Sequence, residues 1–153
     1  SIIQHIDLHA HEKDELLQAM IVKDKSSASS LLSRLGKNKY ADQLLALFNL
    51  YGDSSVIKGL LALDPNNAAI VDAVKKLEDV VLVANESGAK VTFDFSDITG
   101  YQYHSGLVFS AYAEGFTSVI AQGGRYDNLN ESLGLKRPAT GFSLDLRYLV
   151  NHL

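Results

Sequence analysis

The chain has 153 residues, 46% of them hydrophobic and 21% charged, which suits one ordinary core and argues against a disordered segment. A formal charge of −4 with scattered lysines lacks the basic stripe of a nucleic-acid surface, and no apolar run is long enough to span a bilayer. The absence of cysteine excludes disulfides and thiol chemistry and suits a cytoplasmic protein.

The first residues lack the basic start and apolar run of a signal peptide, and Ser1 stands where an initiator methionine would, so a fragment is expected. Ile2, Ile3, Ile6 and Ala10 fall near helical spacing. Leu16, Leu17, Met20 and Ile21 predict an amphipathic helix from Asp14 to Lys23, broken by the polar stretch Asp24 to Ser27. A third helix carries Leu31, Leu32 and Leu35 and ends at Gly36. A fourth spans Tyr40 to Tyr51 and closes at Gly52. Ser54 or Ser55 is placed to cap a helix from Val56 to Leu63, which Asp64-Pro65 stops; Asn66 or Asn67 then caps the longest one. Ile70, Val74, Leu77, Val81 and Ala84 keep the helical period through the β-branched run Val80 to Val83, so helix is preferred there, ending at Gly88.

The period changes after Ala89. Val91, Phe93 and Phe95 alternate with Thr92 and Asp94, the pattern of a half-buried strand. A long hairpin follows from Thr99 to Asp127, with Leu107, Phe109 and Ala111 on one face, Val108, Ser110 and Tyr112 on the other, and its turn near Glu114-Gly115. After the polar excursion from Asn128 to Pro138, a short strand is expected over Ala139 to Leu144. Leu146, Leu149, Val150 and Leu153 then give a final helix. Antiparallel strands are therefore expected near residues 91 to 96, 104 to 114, 117 to 123 and 139 to 144. The fold class is α+β: a helical region over 1–89, then an antiparallel β-sheet with a C-terminal helix over 90–153.

Two groups of residues carry candidate chemistry. His5, His9 and His11 include a pair at helical spacing that can share a zinc ion, but no second histidine follows Glu12 at metalloprotease spacing; they read as solvated histidines and no metal is assigned. The second group is the hairpin's paired ends. Gly123-Gly124-Arg125-Tyr126-Asp127 lets backbone come close, Arg125 offers a planar fork to a carboxylate, and Asp127 can accept from an ammonium group. Tyr103 and Tyr126 can bond to and pack on a polar ring. These are the parts of an amino-acid site. Arg125 has an alternative role as a structural clamp pairing with Asp127 or a carbonyl, and the glycines can be a simple strand exit.

Tyr101-Gln102-Tyr103-His104-Ser105-Gly106-Leu107-Val108-Phe109, then Gly123 to Asp127, then Pro138-Ala139-Thr140-Gly141-Phe142-Ser143 resemble, in order and spacing, the histidine-recognition motifs and last class II motif of the histidyl-tRNA synthetase family. More closely they resemble its non-synthetase branch, the regulatory subunits of ATP phosphoribosyltransferase. The match covers roughly Phe93 to Leu153; the helices resemble that subunit's insertion in pattern. The resemblance implies a class II aminoacyl-tRNA synthetase-like core and a longer parent chain whose N-terminal strands complete the sheet. It implies a histidine pocket at Tyr103, His104, Gly123, Gly124, Arg125 and Tyr126, with no cofactor. The implied partners are the short catalytic subunit of the phosphoribosyltransferase, L-histidine as feedback effector, and a second copy of the parent in a homodimer. Departures from the synthetase pattern point away from catalysis. Thr99 stands where the synthetase has an arginine assisting activation, Asp145, Arg147 and Tyr148 occupy the places of a glycine and then a glutamate-arginine pair whose arginine meets ATP, and His104 replaces the motif's second tyrosine. A synthetase fragment, or a small-molecule domain of unrelated ligand, is the alternative.

Overall fold

The computed structural model describes residues 2–36, 38–100, 104–127 and 137–151. The chain forms two compact units, Ser1–Ile98 and Thr99–Leu153.

The first unit begins with a 3-10 turn, Ile2–His5, followed by α1, Ala10–Ile21. α1 starts earlier than the apolar spacing alone predicts because the Glu12 carboxylate accepts the backbone N–H of His9 at 2.9 Å, satisfying a donor at the helix entry. α2, Lys25–Ser33, likewise starts inside the stretch expected to be a polar break: Asp24 accepts from the backbone N–H of Ser27 at 2.9 Å and from its hydroxyl at 2.6 Å. Asn38 caps α3, Lys39–Leu47, by accepting from the backbone N–H of Tyr40. Leu16, Met20, Leu32 and Leu44 are the largest fully buried side chains of the core these helices share.

The expectation that the fourth helix runs to Tyr51 is corrected. α3 ends at Leu47, and Tyr51–Gly52 is a short strand, β1, paired antiparallel with β2, Phe93–Asp94. Gly52 sits at φ +148°, a backbone geometry that L side chains rarely adopt, and the Leu50 carbonyl accepts the N–H of Phe95 at 3.1 Å. Pairing with a segment forty residues away, invisible to local periodicity, wins over the apolar stripe. α4, Val56–Leu63, has Ser55 at its N-cap, but the capping carboxylate is that of Asp53, which accepts the Ser55 N–H at 2.9 Å. α5, Ala68–Glu86, is capped by Asn67 and stays helical through Val80 to Val83. Ile57 of α4, Val74 of α5 and Phe93 of β2 form a second core. Because β2 pairs with β1, the first unit extends past the change of period at Ala89 as far as Ile98.

Lys23, just past α1, is the one non-glycine residue with positive φ (59°) among the described residues. Its ammonium lies 3.0 Å from the Asp94 carboxylate and 3.0 Å from the Ser96 hydroxyl, while Asp94 also accepts from Ser96. Partial burial opposes ionisation of Asp94, yet the hydrogen bonds from Lys23 and Ser96 together hold its pKa below the usual carboxylate range.

In the second unit, β3 (Val108–Ala111), β4 (Ala121–Arg125) and β5 (Thr140–Leu144) form an antiparallel sheet with β4 in the centre, followed by the short helix α6, Leu146–Val150. The strands are shorter than the predicted hairpin arms. Its turn lies at Glu114–Gly115, as expected, with Gly115 at φ +85°. Register places Phe109 opposite Gly123 and Phe142, and Ala111 opposite Ala121 and Leu144, on one face; Val108, Ser110, Gln122, Gly124, Gly141 and Ser143 share the other.

Two outcomes test this account. Leu16→Ala, which empties the centre of the first core, should lower unfolding free energy by about 2–5 kcal/mol in urea titrations. Asp94 has a depressed pKa in the fold, so its contribution is present above roughly pH 4 and fades as pH falls through its lower folded value. Asp94→Asn should therefore unfold more easily than the parent at neutral pH, with the gap closing in acid.

Candidate functional site at the ends of the hairpin

The register of the sheet decides which candidate residues can meet. Gly124 pairs with Gly141 across β4 and β5, so two residues without side chains lie next to each other on one face. His104 and Tyr126 stand over this floor. An ideal Cβ built on Gly124 would come 2.5 Å from His104 Cδ2 and 2.9 Å from its Nε2, and one on Gly141 would strike the Tyr126 hydroxyl. Any larger residue would push the rings away. The two rings meet edge-on, with centroids 6.4 Å apart and an interplanar angle of 63°. Gly124 is buried and His104 and Tyr126 are partly buried.

Strand alternation sends Gly123 and Arg125 to the opposite face from Gly124 and Tyr126. There the Arg125 Nε donates to both carboxylate oxygens of Asp127, at 3.1 and 3.0 Å, the clamp that was the alternative role for this arginine. Asp127 also accepts the backbone N–H of Ala139 at 3.3 Å, and its own N–H donates to the Ser105 hydroxyl at 2.8 Å. The Arg125 guanidinium, with smaller help from Ala139 and Ser105, holds the Asp127 carboxyl below the usual range. The cluster ties the start of the first hairpin arm, the end of β4 and the entry to β5. Ser105 closes the register as well, its N–H donating to the Arg125 carbonyl at 2.9 Å. Tyr103 lies outside the described residues, as does the chain from Asn128 to Lys136.

Two participants have no signal in composition. Gly141 matters only through the register that sets it beside Gly124. Tyr148, on α6, is the other: its phenol oxygen accepts the backbone N–H groups of Thr117 at 2.9 Å and Ser118 at 3.1 Å, and its ring meets Phe116 edge-on at 5.6 Å. The Thr117 hydroxyl and these backbone donors hold its pKa below the usual tyrosine value. Tyr148 thus fixes the hairpin's far end while Asp127 and Ser105 fix the near one.

The N-terminal histidines go to separate places. His5 stacks on Tyr40 with centroids 4.8 Å apart, the His9 backbone enters the α1 cap, and His11 Nδ1 lies 3.6 Å from Glu15. Among the described residues, no three histidine, aspartate or glutamate side chains are grouped as metal ligands, and no helix is long and apolar enough to cross a membrane.

Comparison with known proteins places this geometry. A family model described as "Histidyl-tRNA synthetase" matches residues 1–149. A relative from Methylobacillus flagellatus, named "ATP phosphoribosyltransferase regulatory subunit", is 37% identical over all of this chain, which covers 39% of the relative. One of the same name from Cupriavidus pinatubonensis is 43% identical over 88% of the chain and 34% of its own length. The chain thus spans little more than a third of the curated relatives it matches. Among solved structures, an "ATP phosphoribosyltransferase regulatory subunit/histidyl-tRNA synthetase" from Bacillus halodurans aligns with a TM-score of 0.78 at 22% identity, over 99% of this chain and 40% of that one. A "histidyl-tRNA synthetase" from Nostoc gives 0.69 at 20% identity, over 97% and 38%. At these identities the structures speak to fold alone, and they agree with the antiparallel sheet and terminal helix of a class II synthetase-like core. The chain belongs to the histidyl-tRNA synthetase family.

Proposed function

We propose that this chain is part of a non-catalytic regulatory subunit of ATP phosphoribosyltransferase, which supports the short catalytic subunit in the first step of histidine biosynthesis and binds L-histidine for feedback control. The observation that carries the reading is identity of 37–43%, over 88–100% of the chain, to relatives named as that subunit. Loss of the synthetase's arginines supports it. Thr99 cannot stabilise a developing phosphate charge. At the place of the nucleotide-binding pair, Tyr148 instead spends its hydroxyl on the backbone of Thr117 and Ser118.

The proposed effector pocket is the Gly124–Gly141 floor with His104 and Tyr126 above it; Tyr103, from the same motif, is assigned to it on sequence alone. Gly123 and the Arg125–Asp127 clamp shape it from behind by fixing the strand exit. Glycines leave ring-sized space there, filled in this structure by His104 and Tyr126, and a planar polar ring of similar size suits the same space. The proposed setting is a cytoplasmic hetero-oligomer built on a homodimer of the intact subunit, with no nucleic acid, membrane or cofactor involved.

The test of the role is reconstitution. The intact protein, added to the short catalytic subunit from the same organism, should co-purify with it, raise phosphoribosyl-ATP formation and make that activity sensitive to histidine, while giving no histidine-dependent ATP–pyrophosphate exchange alone. Exchange above a buffer control would return the protein to the synthetases. The pocket is tested separately: Tyr126→Phe should keep the fold but weaken histidine binding by about 1–3 kcal/mol in calorimetry, since a buried partner on the ligand loses its mate. Unchanged affinity would remove Tyr126 from the site.

A further inference from the structure

The His104 side chain is held in an unusual way for a residue at a strand entry. Its ring lies between the α-carbons of two glycines: a Cβ on Gly100 would strike Nδ1 and come 2.9 Å from Cε1, and a Cβ on Gly124 would meet the opposite side of the ring, at Cδ2 and Nε2. Gly100, at φ +74°, turns the chain so that its carbonyl accepts the His104 N–H at 2.8 Å; Nδ1 lies 3.3 Å from the same oxygen and donates to it in the Nδ1–H tautomer. The Tyr126 ring lies near the His104 ring in an edge-on arrangement, centroids 6.4 Å apart. Together these make a slot one aromatic ring wide, with glycine walls and a carbonyl acceptor in reach of a ring N–H. The ring that fills it is the imidazole of His104.

We propose that the imidazole of His104 occupies in cis the ring slot of its own pocket, so that a free histidine must displace it in order to bind. The proposal takes its ligand from the reading given above, whereas the slot itself stands on the geometry of Gly100, Gly124 and Tyr126. Displacement would turn this partly buried side chain about χ1 and break its contacts, among them Nδ1 to the Gly100 carbonyl, with the backbone of the sheet left in place. The internal ring then acts as a competitor at fixed local concentration. Apparent affinity falls by the fraction of time the slot is open, so a slot closed about nine-tenths of the time binds its ligand about tenfold more weakly. This sets the effector threshold without altering any residue that touches the ligand.

The test uses the intact protein, its His104→Ala variant, and free imidazole as the probe. Millimolar imidazole should raise the melting temperature of His104→Ala and leave the parent unchanged, because only the variant has an empty slot. Histidine should bind His104→Ala about tenfold more tightly than the parent. Protection of neither protein by imidazole, or of both equally, would overturn the proposal. So would weaker histidine binding to the variant, which would make His104 a ligand contact. Imidazole protection of His104→Ala with histidine binding to neither protein would leave the slot standing and remove the histidine reading. Should His104→Ala fail to fold, His104→Asn, which keeps a donor for the Gly100 carbonyl but is too short to fill the slot, carries the same comparison.

Discussion

The second unit depends on one steric constraint: the central strand of its sheet has two consecutive residues without side chains, and the neighbouring strand places a third glycine directly beside one of them. A glycine in a strand interior gives up packing and costs backbone entropy. Here that loss makes room. The space over Gly124 and Gly141 is taken by two aromatic rings that approach closer than any Cβ would permit, and their position is set by backbone more than by side-chain packing. The neighbouring Gly123 faces the other way, where Phe142 closes on it. A single alternating strand thus separates a polar, ring-bearing face from an apolar one.

That alternation sets the most conspicuous residue of the motif apart from its neighbours. Read along the chain, Arg125 looks like the natural partner for a ligand carboxylate, since it sits between a glycine pair and a tyrosine. In the sheet it points away from both and forms a two-point pair with Asp127, which in turn fastens the entries to β3 and β5 through Ser105 and Ala139. Charge is spent on holding a corner. The ring-bearing face is left with the phenol of Tyr126 and the imidazole of His104.

Much of this was legible in the residues because it follows from short-range rules. Helical period identified α1 to α5, including the β-branched run of α5, and the switch to alternation after Ala89 marked where the strands after β1 begin. Turn chemistry located Glu114–Gly115. What escaped was set by partners distant in sequence. Nothing near Tyr51 announces that Phe93 and Asp94 will pair with it, so α3 appeared one turn too long. Caps were shifted for a related reason: Asp24 and Asp53 are short acidic side chains able to satisfy helix N–H groups from positions that polarity alone assigns to loops or to a neighbouring serine. At the hairpin ends, spacing grouped the motif's residues, but only register could sort them onto opposite faces.

The stretch from Val91 to Ile98 has a consequence for how the first unit comes apart. Val91, Phe93 and Phe95 pack on the core of α4 and α5, while Ile98, a few residues on, packs on the core of α1 to α3. Lys23 reaches across to the same stretch and keeps a left-handed backbone to do so, and the Lys39–Asp64 pair with the Gln43 bond to the Leu63 carbonyl joins α3 to the end of α4. Two small cores riveted at three places cannot melt in sequence without stripping each other of partners. They are therefore expected to share one cooperative transition, with amide protection in α5 rising and falling together with that in α1, although the two helices belong to different cores.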